Sequence, residues 1–516
     1  MASPLDSEDD NIFEKLQQSV DPKVAEEKLR AAEKNRLRQY AQTQMRQVSL
    51  VEDNSTLPCT INSIRILNAR NTRRGFLEKI FHPILSANQD RPYTLVEAIR
   101  EVSLGAEKLY KFDIFREPIS LFLDRPDQTN PNTSPTDIDF YISVFEKSRV
   151  LLKTGTDVGN AEGSAYASLL YRNVFGGAEN LNFNASFGTR TRSSYQAIFD
   201  TPILSNPAYR LEFGGLSSTT QKNWASHEEV LAGGWTKFKW LTTGGHRHEI
   251  GYTGLWRQIT GLAANASPTV RKDAGDSVKS SITHTWINDR RDSSFLPSRG
   301  YYTKATSELA GFGPLRGDVS FWKSEIETQA TLPIPIPGIK GNSGITWTNS
   351  LRGGLLYPLT LPSESHPQPS RINDRFQLGG PADVRGFRLS GLGPRDGPDA
   401  IGGDIYAAFS SNILFPLPRL GKDRPIRIQA FINGGRLLAL KNRDREKQMD
   451  SAAVQRNFYS TIEELGHGLP SMSAGIGLVY AHPVARFELN FGVPLVLRRG
   501  EEGRKGLQFG IGINLL

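Results

Sequence analysis

Gly506-Leu507-Gln508-Phe509-Gly510-Ile511-Gly512-Ile513-Asn514-Leu515, beside the C-terminus, alternates without a break. Leu507, Phe509, Ile511, Ile513 and Leu515 fall on one face of an extended strand, and Gly506, Gln508, Gly510, Gly512 and Asn514 fall on the other. The same period runs upstream, with Phe487, Leu489, Phe491 and Val493 set against Arg486, Glu488, Asn490 and Gly492. It returns in Leu181, Phe183, Ala185 and Phe187 against Asn182, Asn184, Ser186 and Gly188. Further strands fit near 149–157, 163–171, 192–201, 208–218, 227–239, 245–259, 277–288, 300–312, 318–332, 343–357, 403–415, 424–435 and 472–481. That makes about sixteen, an even number as in membrane barrels. Many run about ten residues or more, enough to cross a bilayer obliquely. Glycine and small polar residues fill the second face, where the core of a soluble two-sheet sandwich or propeller would need bulk. The fold class is therefore mainly β, a transmembrane antiparallel barrel. Tyr195, Phe199, Trp235, Trp240, Trp286 and Trp322 are candidates for its interfacial aromatic girdle.

Composition agrees. The mean hydropathy is −0.40, and no run of about 18 apolar residues marks a membrane helix. A barrel keeps its average hydropathy low because half of each strand faces a polar lumen. The 516 residues carry a net charge of +8 with bases scattered among acids, so no nucleic-acid-binding signature stands out. A single cysteine, Cys59, excludes an intrachain disulfide framework. The start is acidic (Asp6, Glu8, Asp9, Asp10), unlike a secretory signal or an Arg-rich presequence. The expectation is cytosolic synthesis and insertion into an organelle's outer membrane.

Residues 1–50 read as a polar, partly helical arm, with Asp21-Pro22 as cap and first-turn proline. Its apolar stripe (Val24, Leu29, Leu37, Tyr40) is thin, which suits a solvated helix better than a docked one. Residues 51–147 form a small α+β domain. Ile61 to Leu67 suggests a strand, Phe76 to Leu85 recurs at helical spacing, and Thr94 opens a second helix. Strands at Ile119–Leu123 and Ile138–Phe145 complete a β-α-α-β-β order. The barrel takes 148–516, with a long loop at 358–402.

That loop contains Phe376 to Asp404, FQLGGPADVRGFRLSGLGPRDGPDAIGGD, and a loop this long is generally functional or disordered. At its centre Val384, Arg385, Gly386 and Phe387 set a guanidinium beside a residue that can turn sharply. Five fixed donors suit a carboxylate in a partly dry space; a solvated arginine on an exposed loop is the plain alternative. FQLGGPADVRGF resembles the signature loop of the outer-membrane β-barrel assembly and transport superfamily (the bacterial surface antigen family), whose motif is (V/I)RG(F/Y). Asp289, Arg291, Asp292, Pro297 and Gly300 are similar to its D-x-R-D…P-x-x-G turn. Within the superfamily the resemblance is to the core barrel subunits of the mitochondrial sorting and assembly machinery, over roughly Thr60 to Leu516.

The resemblance implies that 51–147 is a polypeptide-transport-associated (POTRA) domain facing the intermembrane space, and that the barrel sits in the mitochondrial outer membrane. It implies that loop 358–402 folds inward and that Arg385 pairs with an acid on the inner wall. The family's usual acid sits in an F-x-D-x-G strand, which here reads Phe431-Ile432-Asn433-Gly434-Gly435. Asn433, Asp404 and Glu488 are therefore the candidate partners. It also implies a lateral gate, with Val150, Leu151, Leu152, Lys153, Thr154, Gly155 and Thr156 on the first strand. Gly506, Gln508, Gly510, Gly512, Ile513 and Leu515 would form the last strand. The expected function is insertion of β-barrel precursors, recognised by a C-terminal signal strand and templated at that gate. Expected partners are those precursors, accessory subunits on the cytosolic side and membrane lipid, without nucleic acid.

A translocating channel of an organelle envelope and a metabolite porin are the alternatives. A lipolytic enzyme on a barrel anchor lacks any G-x-S-x-G elbow. No metal or other cofactor is expected, because His246-Arg247-His248-Glu249 shows no third ligand.

Overall fold

Ala98, Val102 and Leu109 recur at helical spacing and are wholly buried, which fixes the inner stripe of one helix. Phe140, Ile142 and Val144 alternate along a strand and are equally buried. Together these two periods mark the core of a small α+β unit. Its elements are β1 (Pro58–Leu67), α1 (Arg74–Asp90), β2 (Tyr93–Thr94), α2 (Leu95–Lys111), β3 (Phe115–Asp124) and β4 (Asp137–Glu146). The sheet order is β2-β1-β4-β3, with β1 parallel to β4. The two-residue β2 was not expected, since a pair of residues carries no period; it closes the edge of β1 antiparallel.

The computed structural model describes residues 49–126, 133–159, 162–335, 343–417, 424–440, 451–482 and 485–512, with scattered helical residues between 33 and 46. The proline-capped start expected for the arm lies outside the described residues, as do Ile513 and Leu515. The chain divides into two compact units, the smaller drawing on residues up to Ala69, Glu78–Tyr110 and Phe115–Phe145.

The larger unit is an antiparallel sheet of sixteen strands in sequence order. The first eight are β5 (Val150–Gly159), β6 (Glu162–Arg172), β7 (Asn180–Gly188), β8 (Thr191–Ile203), β9 (Asn206–Lys222), β10 (His227–Leu241), β11 (Arg247–Thr260) and, after the short helix α3 (Pro268–Lys272), β12 (Gly275–Asp289). Next come β13 (Gly300–Ala310), β14 (Phe321–Pro333) and β15 (Thr346–Pro358). The long loop follows, holding a two-rung ribbon of β16 (Arg395–Asp396) and β17 (Asp399–Ala400). The wall then resumes with β18 (Ile405–Pro416), β19 (Ile426–Leu438), helix α4 (Ser451–Gly466), β20 (Ser471–Ala481), β21 (Arg486–Val496) and β22 (Gly506–Gly512).

Alternation sorts the two faces. In β22 Leu507 is 63% exposed and Gln508 only 3%. The inner face receives the long loop, where Leu378, Val384, Phe387 and Leu392 pack with Leu356, Ala408 and Leu437 of the wall. Burying each large apolar side chain there is worth about 1.5–3 kcal/mol. Trp240, Trp286 and Trp322 lie on the outer face as girdle residues would, but Trp235 does not. Its indole N–H donates to Glu212 at 2.7 Å, in phase with Lys239, which pairs with the same carboxylate. Strand phase put it inside; its residue type alone suggested the rim.

Candidate functional site

A turn through Gly386 lets the loop tip present its arginine and its backbone to different strands. Gly386 has φ +82°, and a Cβ there would sit 2.6 Å from Cβ of Ser473 on β20, so only glycine fits. Arg385 reaches Glu488 Oε2 on β21 through Nη2 at 2.8 Å and Nε at 3.0 Å. Its Nη1 donates to Asn412 Oδ1 on β18 at 3.1 Å, and its guanidinium carbon lies 5.0 Å from the Phe431 ring centre. Arg486 Nε donates to the other Glu488 oxygen at 2.8 Å, and Asn490 Nδ2 to Oε2 at 2.9 Å. The carboxylate is thus saturated by charged and neutral donors in a largely dry site, the condition under which a buried pair holds.

Of the three candidate partners, Glu488 takes the guanidinium. Asn433 instead donates weakly to the Arg385 carbonyl at 3.4 Å, and accepts from the Ser473 hydroxyl. Asp404 serves another segment: it accepts from Leu440 N at 2.8 Å and from the Ser370 hydroxyl. Asn433 and Glu488 stand two strands apart, and strand phase alone could not choose between inner-wall positions.

The backbone of the tip is held by the last strand. Gly386 N donates to Gln508 Oε1 at 2.8 Å, and Gln508 Nε2 donates to the Phe387 carbonyl at 3.1 Å. Just before β22, Arg504 N donates to the Gly386 carbonyl at 2.8 Å, and Phe387 bridges Gly503. Gln508 had been singled out only as a strand residue; its amide is what ties loop to closing strand.

The root of the loop has a second anchorage that sequence reasoning missed. Asp374 meets Arg257 of β11 at 2.6 Å with both side chains buried, and Lys323 of β14 donates to the Asp374 carbonyl at 2.8 Å. Asp399 accepts from Ser267 N at 2.7 Å and Ser226 Oγ at 2.5 Å.

At the two ends of the sheet, β5 pairs with β6 and β22 with β21. The two end strands approach each other, with Cα atoms within 8 Å. Val150, Leu151, Leu152, Lys153, Thr154, Gly155 and Thr156 lie on β5, the first strand of the sheet. The described part of β22 runs to Gly512.

The Omp85 superfamily domain matches residues 173–515. The chain belongs to the Omp85 superfamily. Among Omp85 relatives, a SAM50-like protein of Schizosaccharomyces pombe is 38% identical over 471 residues, covering 90% of this chain and 93% of its own. The sorting and assembly machinery component 50 homolog of Mus musculus is 33% identical, covering 82% and 84%. The BamA structure from Haemophilus ducreyi lacking POTRA domains 1–3 superposes with a TM-score of 0.65 over 88% of this chain and 84% of that one. At 14% identity it speaks for the Omp85 fold alone.

The family's turn between β12 and β13 is held from within. Arg291 grips Asp289 with Nε at 2.9 Å and Nη2 at 2.7 Å. Asp292 accepts from Ser298 N at 2.9 Å, Arg299 N at 3.3 Å and the Ser298 hydroxyl. Burial works to raise the Asp292 carboxyl, but these donors outweigh it and hold it below the usual carboxylate range. The stability it lends is present above about pH 4, the unfolded value. It fades as pH falls towards the depressed folded value. Pro297 lies in the same turn. Gly300 closes it at φ +107°, where a Cβ would meet the Arg290 carbonyl oxygen at 2.2 Å. Gly300→Ala is expected to destabilise the β12–β13 hairpin by about 1–3 kcal/mol. A lower temperature for loss of the heat-resistant, fast-migrating barrel on electrophoresis would register it.

Proposed function

We propose that this chain inserts β-barrel precursors into the mitochondrial outer membrane by parting the seam between β5 and β22 and offering the edge of β5 to a precursor's last strand. The chain resides in that membrane and assembles barrels rather than acting as an enzyme, in line with its family. The observation that carries the reading is the loop tip clamped to β22, the last strand, beside the seam where β22 approaches β5. An exposed strand edge is a ready template for backbone pairing. Glycines at 506, 510 and 512 weaken the packing of β22, which favours a seam that parts. The small α+β unit is read as a POTRA domain on the intermembrane-space side that receives precursors, with accessory subunits on the cytosolic side. The porin alternative fits less well, because buried loop residues fill inner space that a porin would leave to water.

Mitochondria depleted of the protein and given a labelled pore precursor test this. The precursor is expected to cross the outer membrane and remain extractable by carbonate. Normal assembly with reduced metabolite flux would restore the porin reading.

A further inference from the structure

Imidazoles gain nothing from a bilayer-facing wall, yet three gather on one. On the outer face of β10–β12, Trp240 stacks on His248 at 4.9 Å between ring centres, and His248 Nδ1 lies 3.3 Å from His284 Nε2. His246 stacks on Trp286 at 5.8 Å, and its buried Nδ1 has no partner. From the adjoining turn Arg290 donates to the Gly244 carbonyl beside them. The same face continues into exposed Ile250, Tyr252 and Ile282, an apolar wall. Nearby charges turn elsewhere. Arg247 and Glu249 are out of phase with His248, with Glu249 opposite Lys239, and Asp289 is held by Arg291. Among the described residues no group of three ligands suits a metal ion.

We propose that this rim binds the phosphate of an anionic phospholipid, whose acyl chains lie along Ile250, Tyr252 and Ile282. Tryptophan belts mark the headgroup level of a membrane, which places the imidazoles where phosphates lie. The neutral His248–His284 pair shares one hydrogen and so presents one outward N–H. Uptake of a single proton gives it a second outward N–H and a positive charge, which a phosphate oxygen compensates. Arg290 is charged at every relevant pH. Affinity therefore has a constant part from Arg290 and a part that grows when the pair takes up its proton. A choline headgroup brings its own cation and gains less.

The test uses the full chain reconstituted in phosphatidylcholine vesicles with trace spin-labelled phosphatidylglycerol or phosphatidylcholine, reading the immobilised fraction. Phosphatidylglycerol is expected to be preferred, and the preference to rise about fivefold as pH is lowered from about 7.5 far enough to protonate the pair. The double variant H248Q/H284Q should flatten that rise and keep the residual preference; R290Q should lower the preference at both pH values. Heat-resistant mobility checks that each variant remains a barrel, and the wild-type titration needs no variant. Equal immobilisation of both lipids, a pH response surviving H248Q/H284Q, or displacement of the label by inorganic phosphate would overturn the proposal.

Discussion

Arg385→Ala is expected to free the loop tip from the inner wall at a cost of about 3–5 kcal/mol, the range for breaking a buried pair from one side. Three losses coincide. Glu488 keeps Arg486 and Asn490 but loses both guanidinium nitrogens, Asn412 loses its donor, and the Phe431 ring loses its cation. The remaining contacts of Glu488 place the cost at the lower end of the range. Arg385→Lys should recover only part, because one ammonium cannot serve Glu488 and Asn412 together. Replacing both partners, as R385M/E488M, should recover little of the stability, because Arg486 and Asn490 then lose the carboxylate they donate to. Limited proteolysis of the loop in intact membranes and the precursor assembly rate read the two effects separately. Wild-type protease resistance and assembly rate in Arg385→Ala would sink the idea.

How far the chain could be read from its letters depends on the range of the interaction. Alternation is local, so the sixteen strands, the inward phase of Gln508 and the outward phase of Leu507 were legible residue by residue. Trp235 was legible too, had its phase with Lys237 and Lys239 been weighed above its residue type. The partner of Arg385 was only half legible. Phase marked Glu488 as inward-facing, but the choice among inward acids and amides depends on how the loop descends across β18 to β22. The Asp374–Arg257 anchor joins residues 117 apart, and neither lies in a pattern that announces the other.

Gln508→Leu should uncouple the loop from the closing strand while leaving the Arg385–Glu488 pair intact. Leucine fills similar volume but cannot bond, so Gly386 N–H and the Phe387 carbonyl each lose their Gln508 contact in a buried place. An unsatisfied buried group costs about 1–3 kcal/mol. Phe387 O loses its donor and Gly386 N–H its acceptor; the bond from Arg504 N to the Gly386 carbonyl still ties the segment to the strand's approach but leaves that N–H unpaired. Gln508→Glu separates the two halves: it keeps an acceptor for Gly386 N–H but sets a carboxylate against the Phe387 carbonyl. It should therefore be no better than leucine. The native chain has one cysteine, Cys59, so a Cys59→Ser background allows cysteine pairs along β5 and β22 to report the seam by disulfide yield. If the clamp steadies β22, the yield falls in Gln508→Leu and precursor release changes with it, whereas Arg385→Ala loosens the loop through β21. Unchanged yield in Gln508→Leu would mean that the seam is held by the strands themselves, and that the loop is a bystander to its opening.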